Sequence, residues 1–173
     1  MKLIYSIHKY DVTMFTWLNG VAMHASLIRL CRLISKTADG YLYLLLAAWL
    51  FWEHGRNDLL LQAMVVAFSI ERPTYWLLKN GFKRNRPQQA LRNFCSLVKP
   101  ADQFSFPSGH TSAAFMVATL LAYFLPQLLP VLYLWAALVG FSRVVLGVHF
   151  PTDTLMGMAL GVGTAIFSLD YIL

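Results

Sequence analysis

Apolar residues in this chain gather into runs close to a bilayer crossing in length, without the alternation of strands. The first clear run covers 40–52 and includes YLYLLLAAWLFW. A polar turn, EHGRND at 53–58, separates it from a second run at 59–78. A third run spans 108–125, a fourth 131–147 and a fifth 152–172, with Pro126 and Pro130 bracketing a tight turn before the fourth. Residues 18–35 read as a sixth, poorer span, because His24, Arg29 and Arg32 interrupt it. Residues 1–17 read as an amphipathic segment lying at the interface. Only helices and closed barrels cross a bilayer. The expected fold is therefore all-α: a polytopic transmembrane bundle of about six helices. It forms one domain over 1–173, with 79–107 as an extramembrane loop.

Aromatic residues support the same boundaries. Trp17, Trp49, Trp52, Trp76, Tyr41, Tyr43, Tyr75 and Tyr171 fall near run ends, where interfacial rings anchor helices. Gly157 and Gly161 form a GxxxG in the last run, a pattern for close helix packing.

Composition changes the picture in one respect. The chain is 58% hydrophobic and 13% charged, against about 25% charged in ordinary soluble domains. Its net charge is nevertheless +6. Segment 79–102 holds Lys79, Lys83, Arg84, Arg86, Arg92 and Lys99 against a single acid, Asp102, so nearly all the excess lies in one loop. A nucleic-acid partner would ask for cations spread over a broad solvated face, so none is expected. Cys31 and Cys95 form no CxxC and no zinc spacing, and Cys31 reads as an inert thiol in an apolar stretch. The opening MKLIYSIHKYD lacks a sustained apolar run and a small-residue cleavage site, so no secretory signal is expected.

Counting crossings puts three junctions on one side: the end of the second run at Lys79, the start of the third at Pro107, and the turn from Arg143 to Asp153. Each carries unusual polar residues. Lys79 and Arg86 bracket KNGFKRNRP, Pro107-Ser108-Gly109-His110 opens the third run, and Ser142-Arg143 precedes His149 and Asp153. Arginine offers a planar fork matched to phosphate oxygens, and lysine a compact charge. The backbone N–H groups of Ser108, Gly109 and His110 can face an anion at a helix start. Three cations and a helix N-terminus make a phosphate cradle. His149 and Asp153 are four apart, so the carboxylate can orient one ring nitrogen and leave the other to attack. His110 is placed to protonate a leaving oxygen.

These stretches resemble the signature of the type 2 phosphatidic acid phosphatase (PAP2) superfamily: KxxxxxxRP, PSGH and SRxxxxxHxxxD, with every spacing matched. The resemblance implies a six-helix membrane bundle with a core shared by the vanadate haloperoxidases. It implies phosphoryl binding by Lys79, Arg86, Ser108, Gly109 and Arg143. It also implies a phosphohistidine at His149, orientation by Asp153 and proton donation by His110, with no metal and no cofactor. Asp102 and Asp153 are the only acids near the motifs, too few for a two-metal site. The implied substrate is an anionic lipid phosphate, with undecaprenyl diphosphate first and phosphatidylglycerophosphate or phosphatidic acid as alternatives. The implied location is a bacterial cytoplasmic (inner) membrane with the site facing outward, although the positive-inside rule would put the basic loop inside.

Other readings remain open on the residues alone. They are phosphotransfer between lipids, vanadate-dependent halide oxidation, and a non-enzymatic lipid-binding bundle. Lys83, Arg84, Arg92 and Lys99 read as solvated or headgroup-facing cations. His8, His24 and His54 read as surface residues, and Ser142 as support for its turn. Glu71 and Arg72 interrupt an apolar span, and read either as a local ion pair or polar contact to neighbouring helices, or as functional intramembrane charges.

Overall fold

The computed structural model describes residues 2–21, 24–100 and 102–173, with side chains from residue 9 onward except at Val21. Eight α-helices form it: α1 (Lys2–Val21), α2 (Ala25–Lys36), α3 (Tyr41–His54), α4 (Leu59–Phe82), α5 (Pro87–Ala90), α6 (Gly109–Phe124), α7 (Leu129–Val145) and α8 (Pro151–Ile172). A 3-10 turn at Pro126–Leu128 leads into α7, and the described residues include no strand. Turn chemistry sets these boundaries. Asp58 caps α4 by accepting from the Leu61 N–H at 2.8 Å, and Pro151 opens α8 where its missing N–H costs no helical bond.

The apolar runs from residue 40 onward all become helices. The sixth expected span does not. Helix α1 is described to Val21, His24 is extended, and α2 has only 12 residues. At 1.5 Å per residue α2 is roughly 18 Å long, well short of a bilayer core. Helix α1 also continues past the expected end at residue 17.

Helix α6 is the axis of the bundle. It packs along α8 and α7, and is buried along most of its length from Thr111 to Ala122. Small residues allow this closeness. A Cβ on Gly161 would lie 2.2 Å from the Ser112 carbonyl oxygen, and one on Gly157 would lie 2.6 Å from that of Ser108. The core joins Met116, Leu120 and Val117 to Val139 of α7, Met64 and Ala67 of α4 and Ala165 of α8. Helices α7 and α8, the first extended by the Pro126 turn, are long and apolar enough to cross a membrane; α6 is apolar but shorter. Trp52, Tyr41, Leu44 and Phe167 point outward, an apolar surface suited to lipid. On α1, Tyr10 and Trp17 face outward, while Phe15 is buried against Phe94 and Phe150. The inner face of α1 is thus docked on the basic loop and the start of α8.

Candidate active site

The polar residues converge where α4, α6 and α8 meet the 83–108 loop. Lys79, in the last turns of α4, is almost fully buried and donates to both Asp102 oxygens at 2.8 Å and to the Tyr75 hydroxyl. Arg86, just before α5, directs Nε to the Asp102 carbonyl at 3.0 Å and Nη1 to the Val148 carbonyl at 2.6 Å. Its Nη2 bonds the Asp102 carboxylate. One carboxylate therefore sits between the two cations expected to hold phosphate. Burial would push the Asp102 carboxyl up, but hydrogen bonds from Lys79 and Tyr75 and the charges of Lys79 and Arg86 hold it down at about 2.

The PSGH motif lies against the same cluster. Ser108 is fully buried, donates its N–H to the Asp153 carbonyl at 2.9 Å and shares a hydroxyl–hydroxyl bond with Thr111. Gly109 begins α6, and a Cβ there would lie 2.9 Å from the Tyr75 ring, so only glycine lets the helix start approach so closely. The first N–H groups of α6 have no intrahelical acceptor, as at any helix start. His110 directs Nε2 to Asp39 Oδ1 at 2.8 Å, a partner contributed by the α2–α3 turn.

Arg143, near the end of α7, is buried and donates to the Ser35 hydroxyl of α2 at 2.6 Å, while its Nε has no protein partner. His149 lies in the short loop before α8 and is nearly fully buried. Its Nδ1 is 3.7 Å from Asp153 Oδ2. The two expected partners lie near one another, but the separation exceeds a hydrogen bond, and Nδ1 has no hydrogen-bond partner. Asp153 has been claimed by others. It accepts from the Phe150 N–H at 2.7 Å, Arg84 Nη1 at 2.8 Å and the Ser105 hydroxyl. Burial pulls His149 down to about 4, with Arg86 and Arg143 adding to the shift and Asp153 opposing it. The imidazole is therefore neutral at pH 7.

Arg84 corrects its expected role. It is not a free headgroup cation: it joins Asp153 to Asp11 of α1, and Asp11 also accepts from the Thr152 N–H at 3.0 Å. Its guanidinium stacks 4.6 Å above the Phe150 ring. Sequence reasoning also missed Asp11, Asp39, Ser105 and Tyr75 as partners of motif residues. Glu71 and Arg72 form the local ion pair that was one of their two readings, with Arg72 Nη2 donating at 2.6 Å. Among the described residues, no group of three or more His, Cys, Asp or Glu side chains is placed to hold a metal ion. A cavity of about 970 Å³ opens beside His110, Gly109 and Asp102 and runs between α3 and α4.

The sequence pattern of the PAP2 superfamily matches residues 57–172, more than half of the chain. The chain belongs to the PAP2 superfamily. Among PAP2 relatives, phosphatidylglycerophosphatase B of Bacillus subtilis is 39% identical over 131 residues, covering 69% of this chain and 61% of its own length. A putative undecaprenyl-diphosphatase, YbjG of Escherichia coli, is 27% identical over 90% of this chain and 79% of its own. The crystal structure of the first transmembrane PAP2 type phosphatidylglycerolphosphate phosphatase from Bacillus subtilis superposes with a TM-score of 0.80 at 28% identity. It covers 96% of this chain and 86% of that one. Family and fold make this chain a helical membrane protein of the PAP2 superfamily.

Proposed function

We propose that this protein removes the terminal phosphoryl group from a lipid phosphate or diphosphate through a phosphohistidine at His149. The observation that carries the reading is the Asp102 carboxylate held between Lys79 and Arg86. The pocket already binds an oxyanion, and a phosphoryl group offers the same cations more oxygens. Ser108, Gly109 and the unpartnered Nε of Arg143 complete the cradle.

His149 Nε2, on the side of the ring away from Asp153, attacks phosphorus. The bond from phosphorus to the lipid oxygen breaks, and that oxygen takes a proton from His110. Water then attacks the phosphohistidine and gives its proton to His110. The phosphorus–nitrogen bond breaks and inorganic phosphate leaves. Asp153 stabilises the charge that develops on the His149 ring.

The relatives' names support phosphatidylglycerophosphate and undecaprenyl diphosphate as candidate substrates. We rank the former beside, not behind, the latter, a reading supported by the higher identity to the Bacillus subtilis protein. The site is proposed to face outward from a bacterial cytoplasmic membrane. Phosphate release in detergent from a panel of these lipids tests the activity, with His149→Ala alongside. Hydrolysis unchanged by that substitution would overturn the mechanism. Labelling a cysteine placed within 88–98, in a background lacking Cys31 and Cys95, reads the sidedness.

A further inference from the structure

Arg72 occupies an unusual position for an intramembrane cation. Its partner Glu71 is fully buried and also accepts from the Ser112 hydroxyl of α6 at 2.6 Å. Arg72 itself is half-exposed and lines the cavity that contains His110 and Asp102. Glu71 engages the Nε and Nη2 edge of the guanidinium, which leaves Nη1 outside that pair. A counter-ion serving only Glu71 would be expected beside it in the interior, because a cation left in a bilayer groove is costly. Here the carboxylate holds the arginine from behind and presents it to the cavity.

Tyr75 ties this residue to the phosphoryl site. Arg72 Cζ is 4.9 Å from the centre of the Tyr75 ring, and Lys79 Nζ is 4.4 Å from the same centre. Residues 72, 75 and 79 fall on one face of α4. Two cations therefore flank one ring, one in the phosphoryl site and the other in the cavity leading from it. A lipid seated along that cavity with its terminal phosphate at Lys79 would place its next anionic group near Arg72.

Building on the phosphatase reading above, we propose that Arg72 binds the second anionic group of the substrate, the phosphate that remains on the lipid product. This makes a lipid diphosphate, or a phosphomonoester carrying a phosphodiester farther along the headgroup, the preferred substrate class. A lipid with a single phosphate lacks the group that Arg72 holds. The residue thus determines specificity; it touches neither the attacked phosphorus nor the leaving oxygen.

The test compares kcat/KM for farnesyl diphosphate and farnesyl monophosphate, and for phosphatidylglycerophosphate and phosphatidic acid, on the full chain in detergent. The wild type is expected to favour the member with two anionic groups in at least one pair by tenfold or more. Parity in both pairs overturns the proposal. In Arg72→Gln that ratio is expected to fall roughly 10- to 100-fold, the range for losing a charged hydrogen bond. Arg72→Lys should recover part of it. An equal loss on both members of a pair indicates a purely structural role and also overturns it. The Glu71→Gln/Arg72→Gln double variant leaves no unpaired buried carboxylate and carries the test if the single variant fails to fold. Failure of the phosphatase reading would look different: no substrate would release phosphate, or His149→Ala would keep its activity.

Discussion

Arg84 Nη1 lies 2.8 Å from Asp153 Oδ1, and Nη2 of the same guanidinium is paired with Asp11. The carboxylate proposed to orient His149 is thus itself oriented by a loop cation anchored on α1. Arg84→Ala should release Asp153 and lower kcat by roughly 10- to 100-fold, the scale of a small misplacement of catalytic groups. KM should change little, because Arg84 does not touch the proposed phosphate cradle. Arg84→Lys should recover part of the rate. Steady-state kinetics with thermal unfolding in detergent separates this from loss of fold: a lower melting temperature that fully accounts for the lost activity would refute it.

Asp102 pairs with both cations proposed to hold the phosphoryl group. Asp102→Asn removes a negative charge held by Lys79 and Arg86, so the proposed cradle becomes more positive. Inhibition by inorganic phosphate or vanadate should tighten about tenfold, in line with the worth of a charge-assisted contact. The gain should shrink as salt is raised, because Asp102 is partly exposed. An inhibition constant that stays the same or weakens would show that Asp102 aligns the cations and does not rival the phosphate.

The parts of the site that were legible in the sequence are those fixed by short-range geometry. A spacing of four brings His149 and Asp153 within reach of each other across the start of α8, and PSGH opens a helix whatever surrounds it. The apolar runs gave most of the bundle for a similar reason: bilayer thickness sets their length. What stayed hidden depends on tertiary docking. Asp11 reaches Thr152 across 141 residues, and Asp39 reaches His110 across 71. Neither pairing leaves a local spacing to read. The misread stretch at 18–35 failed for a related reason. Its apolar residues belong to two helices, one of which docks on the basic loop through Phe15.

The buried His149 should leave a mark on acid stability. Its side chain titrates near 6.5 when unfolded and is lowered to about 4 in the folded protein, mainly by burial. Between those values the unfolded chain binds the extra proton and the native state does not. Stability from this group is complete above about 6.5 and is lost as the pH falls toward 4. The Asp102 contribution fades lower, between 3.8 and about 2. Melting temperatures in detergent should therefore drop between pH 6.5 and 4 in the wild type, and less steeply in His149→Gln. Parallel curves for the two proteins would contradict the assignment.

The contact between α6 and α8 links packing to the site. Gly161 lies so close to Ser112 that an added methyl would meet its carbonyl oxygen at 2.2 Å, a backbone atom that no rotamer change can move aside. Gly161→Ala must push the two helices apart, at a cost of about 1–3 kcal/mol or more. The displacement would travel along α6 toward its first turn, where Ser108 is bonded to Asp153. Gly163 offers the control, since a Cβ there meets nothing within 4 Å. Gly161→Ala should lower both melting temperature and kcat, while Gly163→Ala leaves the melting temperature unchanged or slightly raised, as expected for alanine in a helix. Equal behaviour of the two variants would mean that α6 and α8 do not hold the close contact on which the positions of Ser108 and Asp153 rest.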